Sequence, residues 1–237
     1  MTLLRRILYF YPSHALHCCR HVLELGGGMT GLLGLGLAAA ASHSPSSSSS
    51  SSFCKSITIT DGHPSCVANQ RVCLELCRQR NVIAREVKVK CEILRWSSQE
   101  DMAAILSGPL LSSEAGNKGF DVIVAADCLF FRDFHTSLLS LLNSMLSFKE
   151  GAVVYLLQPR RAGSMEAFLS LLTPSSSPEQ AFFGRFEADV SDAYDESITA
   201  MHRQYMDEMS NSGSSDQSRN YEPDIHFPIL ITLRRRK

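Results

Sequence analysis

The sequence predicts an α/β protein built on a doubly wound, mostly parallel sheet of seven strands. Three observations carry that prediction. Short apolar runs alternate with helical stretches through the first five strands, the pattern of a parallel sheet with helices on both faces. Residues 120–126 are a near-continuous apolar run, as expected of a central strand covered on both sides. Residues 22–31 form an apolar run that breaks at Gly26, Gly27 and Gly28 and reopens as an apolar helix, which reads as strand, tight loop and helix N-terminus. Free N–H groups and the helix dipole at such a turn favour an anionic or strongly polar ligand. By itself the Gly26-x-Gly28-x-x-Gly31 spacing also fits a dinucleotide fingerprint or a plain loop.

With 237 residues, 44% hydrophobic and 20% charged, the chain is long enough for one large domain with a sizeable core. A net charge of −1 provides no field for nucleic acid or an anionic membrane, so neither is expected as a partner. Eight cysteines without a CxxC pair point to reduced, intracellular thiols. Residues 1–11 carry Arg5 and Arg6 inside an apolar stretch, and these interrupt any signal-peptide core. Residues 22–41 are nearly long enough to span a bilayer, but Glu24 and six glycines argue against it.

Residues 1–20 are expected to hold an N-terminal helix, from the spacing of Leu4, Ile7, Leu8, Tyr11, Ala15 and Cys18, with Pro12 as a break. His14, His17, Cys18 and His21 fall near one another on it, but nothing elsewhere completes a zinc ligand set, so no metal is expected. Residues 30–41 read as a Leu- and Ala-rich helix whose Gly34 and Gly36 allow close approach to the sheet. The serine-rich tract at 42–54 cannot bury a core and is expected to be a disordered insert. A β-branched strand at 56–60 then ends on Asp61-Gly62.

Nucleoside-binding α/β domains keep an acid at the end of the second strand, about 20 residues beyond the glycine loop, to accept hydrogen bonds from the ribose hydroxyls. Gly28 and Asp61 are 33 apart, and removing the 13 residues 42–54 restores 20. The alternative makes Asp61 a turn residue.

A helix at 64–80 turns Val67, Leu74 and Cys77 inward, and a strand at 87–94 runs into Arg95-Trp96. Trp96, the single tryptophan, either stacks on an adenine or covers the core. A short helix at 102–106 and a polar loop at 107–119 precede the central strand 120–126, which ends on Asp127-Cys128-Leu129-Phe130-Phe131, where open α/β sheets place ligands. A helix at 134–146, a buried strand at 152–158 ending at Pro159-Arg160-Arg161, and a helix at 164–172 follow. The remainder reads as a loop at 173–180, a strand at 182–190, a polar helix at 196–209, a loop at 210–220 and a final strand at 225–233 broken by Pro228. The basic run 234–237 is read as a solvated end, with guidance of an acidic partner as the alternative. Right-handed crossovers bring Gly26, Gly27, Gly28, Asp61, Trp96 and Asp127 to one sheet edge.

Taken together, Glu24-Leu25-Gly26-Gly27-Gly28-Met29-Thr30, Thr60-Asp61-Gly62 with Asn69, Leu94-Arg95-Trp96 and Ala126-Asp127-Cys128-Leu129-Phe130 resemble the seven-strand S-adenosylmethionine-dependent methyltransferases. Within that Rossmann-like class I, the sequence is similar to the protein-lysine methyltransferases of the methyltransferase-16 group, above all those acting on calmodulin. Pro159-Arg160-Arg161, Tyr194-Asp195-Glu196 and His226-Phe227-Pro228 extend the likeness from about residue 3 to the C-terminus. The resemblance implies that Glu24, Gly26, Gly27 and Gly28 hold the amino-acid part of S-adenosylmethionine, Asp61 its ribose, and Trp96 and Ala126 the adenine side. Asp127 and Phe130 match the group's acid-x-x-aromatic motif beside the target lysine, with calmodulin as the implied protein substrate. The implied protein is a monomer of cytoplasm and nucleus, with 21–237 as its methyltransferase domain. Members of the group normally carry a longer N-terminal region with a Trp-Pro pair, of which 1–20 would be a remnant. The alternative expectation is therefore a catalytically impaired member that binds cofactor or acts as a regulatory interaction protein.

Overall fold

Strand β1 (His21–Leu25) is buried along its whole length and lies inside the sheet, with a neighbour on each side. In this computed structural model the described residues are 21–42, 54, 56–109, 111, 119–173, 185–211 and 221–236. Helix α1 (Leu32–Ser42) follows β1, and β2 (Ser56–Asp61) pairs parallel to it, with Val22 opposite Ile57. Helix α2 (Pro64–Gln79) opens on a proline, whose missing N–H costs nothing in a first turn, and His63 caps it by accepting the Ser65 amide. Strand β3 (Lys88–Ile93) completes that side of the sheet.

The chain then crosses to the other side of β1. Helix α3 (Gln99–Leu106) begins earlier than its apolar residues suggest because Ser98 caps it by accepting the Asp101 amide. Next come β4 (Val122–Ala126), a short 3₁₀ turn (Arg132–Phe134), α4 (His135–Met145), β5 (Val153–Gln158) and α5 (Ser164–Ser170). Strand β6 (Phe186–Ser191), α6 (Glu196–Asn211), the short α7 (Pro223–His226) and β7 (Ile229–Arg235) finish the fold. The sheet order is β3-β2-β1-β4-β5-β7-β6, parallel except for β7.

The period of two along the strands separates two apolar layers. Val22, Ile57, Ile59 and Val124 meet Leu35, Leu37 and Ala38 of α1 and Val67 and Leu74 of α2. Leu23, Leu25, Ile123 and Leu156 meet Met102 of α3, Leu142 of α4 and Phe168 of α5. Successive strands are added outward from β1 in both directions, so the switch point lies between β1 and β4, the place where an open α/β sheet leaves a crevice at its C-terminal edge. This is the class I, Rossmann-like arrangement.

Several expectations need correction. Residues 225–233 are not one strand: Pro223 starts a helical turn, and β7 begins at Ile229, just after Pro228, which has no N–H to give a ladder. The basic run is not a free tail, since Arg234 and Arg235 are paired in β7 and the Arg235 guanidinium bonds Asn143 and Leu146. Phe120 lies outside β4 and makes an isolated bridge to Leu146. Both ends of the serine-rich tract belong to the fold: Ser42 closes α1 and accepts the Ala84 amide, and Cys54 is buried. Likewise Leu111 and Thr173 lie in described parts of the expected loops, Leu111 being buried, and α6 runs to Asn211. The expected helix in 1–20 lies outside the described residues, as do His14, His17 and Cys18; His21 is engaged by Ser56 at 2.7 Å. Among the described residues no helix is long and apolar enough to cross a membrane.

Candidate active site

Between β1 and α1 the chain makes its sharpest turn. Gly26 and Gly28 have φ of +60° and +59°, a region in which side chains other than glycine are strained. A Cβ on Gly26 would stand 2.8 Å from Cys128 Sγ and 3.8 Å from the Trp96 ring, so the loop lies directly against the end of β4 and the segment after β3. A Cβ on Gly28 would meet nothing within 4 Å, which puts open space over the turn. Gly27 lies between them, its amide donating to the Thr60 carbonyl at 2.8 Å and extending the β1–β2 ladder.

Asp61 faces the turn from β2. Its carboxylate accepts the Gly28 amide at 3.0 Å through Oδ2 and the His63 amide at 2.9 Å through Oδ1. Each carboxylate oxygen has a second lone-pair site, so these bonds leave acceptor capacity for a ligand's hydroxyls. From α2, Gln70 Nε2 donates to the Gly28 carbonyl at 2.7 Å and Asn69 Nδ2 to the Met29 carbonyl at 2.6 Å. Gln70 is fully buried, and its Oε1 has no partner among the described residues. The turn is thus held from both sides before any ligand arrives.

Glu24 is placed differently. Only 4% exposed, it lies behind the turn, where its Oε2 accepts the Gly34 amide at 2.9 Å. Burial pushes its carboxyl up to about 7, partly opposed by the helix amides of Gly34 and Leu33. A Cβ on Gly34 would be 2.6 Å from that carboxylate, so close approach there requires glycine.

Trp96 is half-buried, packed on the core and edge-on to Phe134 at 6.4 Å. It therefore covers core and reaches the glycine loop together. Ala126 is exposed at the end of β4. Cys128 beneath it is a buried thiol pushed up to about 12, first by burial and then by Asp127, which leaves it protonated and unreactive.

Asp127 sits at the β4 terminus with φ +51°, its amide bonded to the Leu157 carbonyl at 2.9 Å. Its carboxylate is held by Arg161, whose Nε donates to Oδ1 at 3.1 Å while Nη2 bonds Oδ2. Phe130 is 48% exposed and lies 4.1 Å from the Phe131 ring, beginning an aromatic row that Phe134 continues towards Trp96. Leu129 anchors the segment: its amide donates to the buried Gln158, and its carbonyl takes Ser164 and His135.

The structure thus brings Gly26, Gly27, Gly28, Asp61, Trp96 and Ala126 to one edge, with Asp127 and Phe130 at its β4 end and Glu24 behind it. Gln70, one position after Asn69, and Arg161, at the end of Pro159-Arg160-Arg161, are residues of this edge that the sequence does not mark. Neither lies in a local pattern that announces its contact.

A glycine turn and an acid at the ends of adjacent parallel strands, beside the switch point, mark the nucleoside-binding edge of a Rossmann-like sheet. The chain belongs to the lysine methyltransferase family, whose model matches residues 11–175. It is 30% identical over 150 residues to a calmodulin-lysine N-methyltransferase of Arabidopsis thaliana, an alignment covering 63% of this chain and 40% of that protein. The chain therefore spans less than half the length of that relative. Among solved structures it is similar to the YcgJ protein of Bacillus subtilis, at 15% identity and a TM-score of 0.45 over 95% of this chain and all of the other. A ribosomal protein L11 methylase of Lactobacillus delbrueckii subsp. bulgaricus is similar at 14% identity and a TM-score of 0.43, covering 92% of this chain and 70% of that one.

Proposed function

We propose that this protein transfers a methyl group from S-adenosylmethionine to a lysine side chain of a protein, with calmodulin as the substrate. The observation that carries the reading is the Gly28–Asp61 contact under open space: an amide and a carboxylate set at 3.0 Å, where a Cβ on Gly28 would meet nothing within 4 Å. The donor set fits the cofactor. The side-chain-free backbone of Gly26, Gly27 and Gly28 gives room for its amino-acid part, Asp61 suits ribose hydroxyls, and Trp96 with Ala126 offers an apolar wall for adenine. Glu24 acts from behind the turn by fixing α1 against it.

Bound S-adenosylmethionine supplies a sulfonium methyl, which a neutral amine nitrogen takes by in-line displacement while the C–S bonding pair stays on sulfur. A free lysine, with a pKa near ~10.4, must lose its proton before its lone pair is available. Phe130 and Phe131 supply the apolar surround that lowers a lysine pKa, and Asp127 orients the amine. Holding the amine in line is the main contribution of the chain, and this chemistry needs no metal or strong base. A monomer working in cytoplasm and nucleus belongs to the same reading, through the family resemblance.

The test is calorimetric titration of the 237-residue chain with S-adenosylhomocysteine, then mass analysis of calmodulin incubated with S-adenosylmethionine and the same sample. Binding with a ladder of single-methyl steps on one lysine peptide is expected. Binding without transfer would favour a cofactor-binding, regulatory member of the family, and no binding would overturn the reading.

A further inference from the structure

We propose that Arg161 is a positioning residue for methyl transfer: its guanidinium fork fixes the Asp127 carboxylate and balances its charge, so that the substrate lysine meets an oriented but already paired acid. The inference rests on the methyltransferase reading above.

The geometry is unusually constrained for a pair at the rim. Asp127 follows β4 directly and Arg161 follows β5, so neighbouring strands deliver the two partners to one edge. Arg161, Ala162 and Gly163 are three consecutive residues with positive φ, at 51°, 51° and 77°, and Asp127 shares that conformation at 51°. Left-handed backbone at non-glycine positions persists only where the surroundings enforce it. Here they do. Asp224 of α7 accepts the Arg161 amide through its carbonyl at 2.9 Å and the Ala162 amide through its carboxylate. Arg132, from the 3₁₀ turn, donates to the Ala162 carbonyl at 2.7 Å, and Ser164 donates its amide to the Arg161 carbonyl at 3.1 Å. Two elements distant in sequence therefore converge on a turn whose product is the direction of one guanidinium.

Stability does not account for this investment. The Arg161 and Asp127 side chains are 30% and 45% exposed, and pairs so open to water stabilise a fold little. What a bidentate fork provides is direction, because two parallel N–H bonds stop the carboxylate from rotating. Each oxygen keeps a lone-pair site for a substrate N–H. The fork also governs charge. An unpaired carboxylate beside a lysine favours its ammonium form, which has no lone pair to attack with, whereas one balanced by a guanidinium attracts a proton to the amine less. Among the described residues, Asp224 faces Arg161 from α7, Arg132 lies at the same turn, and Arg160, next in the chain, is paired with Glu166, while Asp61 and Glu24 act on the Cys128 thiol beside Asp127.

The experiment measures kcat against pH for methylation of calmodulin by the wild type, R161Q, R161K, D127N and D127N/R161Q, with S-adenosylhomocysteine affinity as control. R161Q is expected to lose kcat about tenfold or more, to hold cofactor affinity within about twofold, and to need a higher pH for half-maximal kcat. R161K restores the charge without the fork, so the pH midpoint returns towards the wild type while much of the rate loss remains. In D127N/R161Q the midpoint shift disappears and the rate is no lower than in D127N alone, because Arg161 acts only through Asp127. A rate loss in R161Q that is equal at every pH, or that accompanies a comparable loss of cofactor affinity, would overturn the inference and leave the methyltransferase reading intact. A wild type that binds no cofactor overturns both. If the wild type binds cofactor but methylates no calmodulin, the fork is read from the Arg161 Nε–H resonance: slow solvent exchange that D127N abolishes supports the inference, and fast exchange in the wild type overturns it.

Discussion

The amide of Gly34 donates to the Glu24 carboxylate at 2.9 Å, and a Cβ on Gly34 would stand 2.6 Å from the same oxygen. The contact joins β1 to α1 immediately beside the glycine turn, so two opposed effects meet at one position. Replacing glycine by alanine inside a helix ordinarily gains about 1 kcal/mol. Here the new methyl would also strike Ile59 Cγ1 at 2.6 Å, and overpacking of a buried site costs about 1–3 kcal/mol. The clash involves two buried side chains, so it wins. Gly34→Ala is expected to lower the urea midpoint, and a raised midpoint would show that Glu24 and Ile59 yield.

Glu24 makes stability depend on pH in an unusual direction for a carboxyl. Burial raises it from 4.5 to about 7, so between those values the folded chain binds more protons than the unfolded one. Its contribution is complete below about 4.5 and is lost as pH rises through about 7. At ~1.4 kcal/mol per unit the loss amounts to roughly 3 kcal/mol. Glu24→Gln keeps an oxygen for the Gly34 amide and removes the titration. Denaturation at pH 5 and pH 8 is expected to show the variant gaining on the wild type at the higher pH; a constant difference between the two proteins would contradict the assignment.

Asp61 carries the cofactor prediction. Asp61→Ala removes the acceptor for the Gly28 amide together with the proposed ribose contact. Lost hydrogen bonds to a charged group are worth about 1–3 kcal/mol, or roughly fivefold to 150-fold in S-adenosylhomocysteine affinity by calorimetry. Asp61→Asn, left with one oxygen for the amides of Gly28 and His63, should fall between. Equal affinity in all three proteins would remove Asp61 from the site.

What the sequence discloses about such a fold is what is local. The order of strands and helices follows from apolar periodicity, and the turn after β1 from its glycines, because each is encoded within about ten consecutive residues. Asp61 is legible once the serine-rich tract is subtracted. Arg161 and Gln70 are not, because their partners Asp127 and Gly28 lie 34 and 42 residues away and only the sheet order unites them. Glu24 illustrates the same limit: its place in the motif is plain from sequence, but which side of the turn its carboxylate occupies depends on how closely α1 approaches. The C-terminal run fails for a further reason, since consecutive arginines look solvated unless the carbonyls awaiting them are known.

Those carbonyls belong to the end of α4. The last turn of that helix holds no basic residue, and Arg235 supplies one from β7, donating Nη1 to Asn143 Oδ1 at 2.7 Å and Nη2 to the carbonyls of Asn143 and Leu146 at 2.7 and 2.9 Å. Its guanidinium also lies 4.1 Å over the Phe148 ring. Terminal carbonyls of a helix lack intrahelical partners and carry its negative pole, so a cation there satisfies both bonding and charge. Arg235→Ala is expected to cost about 2 kcal/mol, the scale of losing charged hydrogen bonds together with a cation–π contact. Arg235→Lys should recover only part of that, because one ammonium cannot reproduce the planar fork across two carbonyls and an amide oxygen. Urea unfolding of the three proteins measures the series. Coincident midpoints would return the arginine run to the role of a solvated end, whereas the graded order, wild type above lysine above alanine, would make Arg235 the clasp between the last strand and α4.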